Sequence, residues 1–308
     1  MKLARKVVIW RMHSVKTLPL FAACLLAGSC TAAWSGAVLD RIKSKGTLVI
    51  AHREASVPFS YIDADKKPMG YAVDLCLRVA DALKKKLALP ALKIEYVMVS
   101  TADRVPAITE NRADLECSST TNTPDRRKLV AFTVPHYITG TRYMVRADSP
   151  IQVLADFQGK KLSSTKTTAP LKAITKANAD LLLGITLVEA PEHVKAVEMV
   201  EKGEVDGFAM DDVLLYGLMA GRPEPGKLKV VGKFLTIEPL AIMLSKDDAE
   251  FKRIVDDEMK RLVRNGDATK LYDRWFLQPI PPKNVALNLP MNYLLRDFWK
   301  YPTDVVPQ

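Results

Sequence analysis

The sequence predicts an α/β fold of two lobes, each a mostly parallel sheet flanked by helices, joined by two hinge strands. Three observations predict it. From Leu39 onward, strand-like runs alternate with helical patterns, the signature of βαβ units. One alternating block, from near Asp156 to Val230-Val231-Gly232, is inserted inside another. The chain has 308 residues, 48% of them hydrophobic, which suits two lobes with a sizeable core.

Residues 1–17 carry Lys2, Arg5, Lys6, Arg11 and Lys16 and no acid; an apolar run, 18–28, and Thr31-Ala32-Ala33 follow. This is the layout of a secretory leader, so 1–33 is expected to be a cleaved signal peptide and the mature chain to be periplasmic. The apolar run is shorter than the roughly 20 residues that span a bilayer. Cys30 follows Ala27-Gly28-Ser29 in the manner of a lipoprotein site, but Ala27 stands where a larger aliphatic residue belongs, and lipid anchoring is not expected.

The formal net charge is +10, and removing the five cations of 1–33 leaves +5. That is too modest and too dispersed for nucleic acid, and it suits an anionic ligand. Cys76 and Cys117 are the two cysteines beyond the leader. Export permits a disulfide, but two buried thiols are the expectation, since Cα separation is not visible in a sequence.

The first lobe is expected over 39–141, with its second part over 235–278. Strand 47–52 runs into Arg53, strand 92–99 into Ser100-Thr101-Ala102-Asp103-Arg104, and strand 113–118 into Ser119-Thr120-Thr121. Val73, Leu77, Ala80 and Leu83 mark an amphipathic helix over 73–87. Its Lys84-Lys85-Lys86 reads as a solvated helix end that complements the dipole. Short helices are expected at 105–110 and 124–129. The second lobe is expected over 146–234, with a strand after Gly159-Lys160-Lys161-Leu162 and a helix over 169–177. The chain returns through 237–244 to a helix over 248–264 and a last helix reaching Trp275; 141–146 and 235–244 are the expected crossings. The tail 279–308 contains Pro279, Pro281, Pro282, Pro290, Pro302 and Pro307, which excludes a long regular element, while Leu295, Phe298 and Trp299 suit a short docked helix.

Four expected strands therefore end on groups able to hold a small charged molecule, and open α/β sheets bind ligands beyond the carboxyl ends of their strands. Thr123 is a good N-cap, Pro124 suits the first helical position, and Arg126 lies on the opening turn. A carboxylate there meets a guanidinium, hydroxyls and free backbone N–H groups, although a capped helix with Arg126 in water explains the same residues. Thr165-Lys166-Thr167-Thr168-Ala169-Pro170 repeats the pattern, and such turns commonly serve as caps. Asp211, in Val205-Asp206-Gly207-Phe208-Ala209-Met210-Asp211-Asp212, supplies the opposite charge. With Arg126 on a carboxylate and Asp211 on an ammonium, the two ends define an α-amino acid. The alternative is that Asp211 or Asp212 caps the following helix.

The stretches His52-Arg53-Glu54-Ala55-Ser56-Val57-Pro58-Phe59-Ser60-Tyr61, Gly70-Tyr71, Arg104-Val105-Pro106, Glu116-Cys117-Ser118-Ser119-Thr120-Thr121-Asn122, Gly140-Thr141-Arg142, Met210-Asp211-Asp212 and Ile280-Pro281-Pro282-Lys283-Asn284 carry a resemblance over 39–308. The chain resembles the periplasmic amino-acid solute-binding proteins (bacterial extracellular solute-binding protein family 3), and within them the glutamate/aspartate-binding members of ABC importers. The resemblance implies the type II periplasmic-binding-protein fold, L-glutamate or L-aspartate as ligand, ABC permease subunits of the inner membrane as partners, and a monomer. It implies that Arg126, Ser119 and Thr121 grip the α-carboxylate and that Asp211 takes the α-ammonium. Arg53, Arg104 and His193, with Thr101 and Thr167 or Thr168, then surround the side-chain carboxylate. Buried arginines without a second carboxylate would be costly, which points the same way. The sequence departs from the family pattern at Lys166, where glycine is common, at Thr101, where serine is familiar, and at Ala72. A bulky cation at Lys166 is expected either to reshape the turn or to strengthen a preference for anions.

A periplasmic dehydratase or lyase on the same scaffold is the competing reading, since a fold does not fix a function. Against it, the sequence shows no nucleophile elbow, no Cys–His pair with a supporting motif and no metal-ligand spacing among its histidines. No catalytic residue, metal or cofactor is expected. Another polar amino acid or a dicarboxylate is the alternative ligand, and Asp211 argues against a ligand without an ammonium.

Overall fold

The computed structural model describes residues 36–306. The expected leader and Cys30 lie outside the described residues. Two five-stranded sheets organise the chain. In the first, Lys93–Met98, Thr47–His52 and Leu115–Glu116 are parallel neighbours, followed by Met243–Leu244 and Ala131–Phe132 with Met243–Leu244 antiparallel to both sides. In the second, Thr186–Ala190, Lys161–Thr165 and Gly207–Asp211 are parallel neighbours, followed by antiparallel Thr141–Arg146 and Leu228–Val231. In both, the earliest of the three parallel strands is central, so the chain order reverses around it and opens a crevice at the carboxyl ends.

Period-two alternation covers each sheet on both faces. Phe208 and Met210 join one core cluster while Ala209 joins another, and Met144 and Val145 divide in the same way. In the first sheet Leu48 and Ile50 pack under Leu75 and Val79, while Ala51 packs with Ile108 and Val130 on the opposite face.

The helix Tyr71–Lys86 buries Val73, Ala80 and Leu83 as expected, together with Ala72, Leu75, Cys76 and Val79, while Leu77 is only partly covered. The expected burial of two separate thiols is corrected. Cys76 and Cys117 form a disulfide with Cα atoms 6.3 Å apart, because the core-facing side of this helix lies over the end of Leu115–Glu116. That strand is shorter than the expected 113–118.

The expected crossing at 141–146 is also corrected. Thr141–Arg146 is an inner strand of the second sheet; the connection is the antiparallel ribbon of Tyr137–Thr139 with Glu238–Leu240. The return segment is broken, with Glu238–Leu240 in the ribbon and Met243–Leu244 in the first sheet. In the tail, Pro279–Ile280 pairs with Val285–Ala286 and Tyr293–Phe298 forms a short helix with Leu295 buried. Asn292 Nδ2 donates to Ile138 O at 2.6 Å and Trp299 Nε1 to Pro135 O at 3.1 Å, so the tail docks against the ribbon.

Candidate functional site

Six parallel strands deliver their carboxyl ends to one cleft. From the first sheet come Arg53, then Thr101 and Arg104, then Ser119 to Arg126; from the second come Thr165 to Thr168, then Glu192 and His193, then Asp211. Arg53 is 3% exposed, Arg104 4% and Asp211 1%, burial that charged groups tolerate only in a compensated setting.

On the first lobe, Arg53 Nη1 donates to Val99 O at 2.6 Å and Nη2 to the Glu192 carboxylate of the second lobe. Arg104 Nη1 donates to Thr120 Oγ1 at 3.0 Å, and Thr120 Oγ1 donates to Glu116 Oε2 at 2.7 Å, while Ser118 donates to the other Glu116 oxygen. Burial, with the Arg126 charge adding to it, pushes Arg104 down to about 9, which leaves it a cation at neutral pH.

The helix carrying Arg126 is capped as the sequence suggests. Thr123 Oγ1 accepts from Arg126 N at 3.3 Å as an N-cap, and the guanidinium is held by two backbone carbonyls. Its Nη1 donates to Thr121 O at 2.9 Å and its Nη2 to Thr167 O, across the cleft, at 3.0 Å. Ser119 and Thr121 are buried beside it in sequence, and Thr121 bridges to Leu240 of the ribbon.

The hydroxyl-rich turn of the second lobe serves as a helix cap, the common role of such turns. Thr168 Oγ1 donates to Thr165 O at 2.6 Å and accepts from Leu171 N at 3.3 Å, so this hydroxyl is spent on capping the helix Ala169–Asp180. Thr167 has φ 61° and an exposed side chain, and it presents its carbonyl to Arg126 rather than its hydroxyl to the cleft. Lys166 is exposed, and only its backbone is tied down, to Ala190 O at 3.0 Å. His193 is 3% exposed and shares a hydrogen bond with Thr165 Oγ1 through Nδ1 at 2.8 Å. Burial and the nearby Arg53 and Arg104 charges hold its pKa far below the usual range, so it is a neutral imidazole.

Asp211 occupies the N-cap position of the helix Asp212–Ala220 without a side-chain capping bond, and Asp212 instead accepts from Thr139 Oγ1 at 2.6 Å. The Asp211 carboxylate is therefore not used by its helix. Burial raises its pKa, the Glu238 and Asp212 charges raise it further, and Arg104 and Arg126 oppose them. Glu238, on the ribbon, is raised by burial as well.

Three buried atoms define what the site wants. Of the six buried side-chain polar atoms without a hydrogen-bond partner among the described residues, three are Arg53 Nε, Arg104 Nε and Asp211 Oδ1 of the cleft. Two cationic donors and one carboxylate oxygen are left to pair with something else. Sequence reasoning placed Thr120 in the polar run at a strand end but missed Glu116, Glu192 and Glu238 as cleft residues. Glu238 had a readable signal, an acid in the otherwise apolar run before Leu244; Glu192 had none, because a Glu before a helix reads as a terminal acid. Among the described residues no group of three or more His, Cys, Asp or Glu is placed to hold a metal ion.

The chain is 38% identical over 283 residues to the L-glutamate/L-aspartate-binding protein of Pseudomonas aeruginosa, covering 92% of this chain and 94% of that protein. It is 34% identical over 270 residues to the glutamate/aspartate import solute-binding protein of Escherichia coli, covering 88% and 89%. Among solved structures, a mutant of ArgBP from T. maritima superimposes with a TM-score of 0.69 at 23% identity, covering 77% of this chain and 98% of that one. The profile of the bacterial extracellular solute-binding proteins, family 3, matches residues 48–278, which span both sheets and the cleft between them. The chain belongs to that family.

Proposed function

We propose that this chain is the periplasmic substrate-binding component of an ABC amino-acid importer and that its two lobes close on L-glutamate or L-aspartate. The observation that carries this reading is the set of unpartnered buried atoms: Arg53 Nε, Arg104 Nε and Asp211 Oδ1. An acidic α-amino acid supplies a carboxylate for the arginines and an ammonium for Asp211 in one molecule. Arg126, with Ser119 and Thr121, takes the α-carboxylate and Asp211 the α-ammonium. Arg53, Arg104 and Thr101, with neutral His193 as a hydrogen-bonding neighbour, surround the side-chain carboxylate. Thr168 acts through its cap, and Thr167 through its carbonyl, in shaping the turn.

The names of the Pseudomonas and Escherichia relatives support the ligand class, and the word import in the second supports delivery to a permease. Residues 1–33 serve as the export signal, and the mature chain works as a monomer. The enzyme reading is weaker, since the Pseudomonas and Escherichia relatives, each matched over most of its length, are named as binding proteins. Ligand binding shifts the lobes toward the closed form because the ligand satisfies groups from both at once.

The test is Arg104→Ala, titrated with L-glutamate and L-glutamine. Removing one side-chain carboxylate partner weakens glutamate by about 2 to 3 kcal/mol and glutamine by much less. Equal losses for both ligands would mean that no separate side-chain carboxylate pocket exists.

A further inference from the structure

Glu192 sits at the N-cap position of the helix His193–Glu201, and its side chain makes no bond to that helix. It reaches across the cleft instead. One carboxylate oxygen accepts from Arg53 Nη2, and the other accepts from Thr101 N at 3.3 Å, both in the first lobe. Pro191 O accepts from Thr101 Oγ1 at 3.5 Å, so two consecutive residues of the second lobe rest on the same donors. Arg53 and Thr101 are the groups that the reading above gives to the ligand's side-chain carboxylate. The protein thus already places one carboxylate of its own on Arg53 and Thr101, at Nη2 beside the unpartnered Nε, within reach of the charge the ligand's carboxylate is to meet.

The two partners are not equivalent. The Arg53 side chain is 3% exposed and is anchored to Val99 O, whereas the Glu192 side chain is 38% exposed. Breaking the pair by moving Arg53 would strand a buried cation, but Glu192 can turn into water at little cost. Glu192 is therefore the member that moves.

We propose that Glu192 is a built-in carboxylate that holds Arg53 and Thr101 when the cleft is unoccupied and is displaced by the ligand's side-chain carboxylate, so that it sets both affinity and acidic-over-neutral selectivity. This rests on the proposed function for the ligand, and on the geometry alone for the latch. Such a competitor lowers apparent affinity by the fraction of molecules in which it holds the site. A neutral ligand brings no carboxylate to Arg53, so Glu192 stays and keeps the buried cation paired. The residue thus taxes acidic ligands and assists neutral ones. A residue that served only folding would shift both in the same direction.

Glu192→Gln keeps the shape and removes the charge. In ligand-stripped full-length mature protein, calorimetric titration is expected to show L-glutamate bound about tenfold more tightly in the variant, with L-glutamine unchanged or weaker. Spin labels on Lys84→Cys and Lys176→Cys, both exposed and on different lobes, are expected to give a longer mean distance in the stripped variant than in the stripped parent. Glutamate bound equally or more weakly by Glu192→Gln overturns the displacement. An unchanged distance distribution overturns the latch whatever the ligand. A parent protein that binds no acidic amino acid overturns the reading of the cleft instead, and the distance measurement then decides on Glu192 alone.

Discussion

The two lobes are built on one sheet plan and carry opposite chemistry. In each, three parallel strands with the earliest in the centre point their carboxyl ends at the cleft. At those ends the first lobe presents Arg53, Arg104 and Arg126, and the second presents Asp211, Glu192 and neutral His193. The lesson is that the topology supplies the crevice and the residues after each strand decide what it holds. A cationic half and an acidic half need a molecule with both signs, and closure brings the halves together around it. The halves also differ in support. A disulfide ties the helix Tyr71–Lys86 to Cys117, directly before the Ser118–Arg126 segment, while the second lobe is held by its cores, its caps and the Arg222–Glu201 ion pair.

If the cationic half recognises the carboxylate common to all amino acids, Arg126→Ala has the largest effect on binding. The loss is about 3 kcal/mol or more, above about a hundredfold, for acidic and neutral amino acids alike, because Thr121 O and Thr167 O also lose their donor. Titration with glutamate and glutamine checks it, and selective loss of glutamate would move Arg126 to the side-chain end.

Asp211→Asn tests the acidic half and costs less, about 2 kcal/mol, or about thirtyfold, because the amide oxygen still accepts a hydrogen bond. The same variant reveals a pH effect. Burial raises the Asp211 carboxyl, and an ammonium beside it favours the ionised form, so binding releases a proton. Affinity in the parent protein therefore rises with pH from the ordinary carboxylate range up to the raised pKa and then levels. Asp211→Asn flattens that slope; a parent profile that falls with pH over this range would contradict the assignment.

The smallest effect on affinity comes from replacing Cys76 and Cys117 together by Ser. The bridge closes a separation of 41 residues, for which chain entropy gives about 2 to 4 kcal/mol of stability. Denaturant unfolding should show that loss while affinity at saturating stability changes by less than about threefold, and an affinity loss as large as the stability loss would show that the bridge shapes the site directly.

What the sequence revealed and what it hid follow from range. Thr47–His52 and its approach to Arg53 were legible to the residue, because a run containing the β-prone Thr47, Val49 and Ile50 ends abruptly on polar residues. The cap at Thr123 was legible because it depends on the next three residues. The Glu192 contact spans 139 residues and the Asp248 cap on the helix Ala37–Lys45 spans 210, so nothing local announced either. The disulfide was misjudged for the same reason, since it depends on which helix face meets the sheet. The strand 141–146 was read correctly as a strand and wrongly as a crossing, because a strand's own residues do not say which sheet it joins.

The central claim is that the cleft reads an ammonium and two carboxylates at once. Calorimetric titration of the ligand-stripped protein with L-glutamate, L-aspartate, L-glutamine and succinate tests it most directly. The expected result is tight one-to-one binding of glutamate or aspartate, with glutamine weakened for lack of the second carboxylate and succinate for lack of the ammonium. Succinate bound as tightly as the acidic amino acids would contradict the role of Asp211, and glutamine bound as tightly would contradict the role of Arg53 and Arg104.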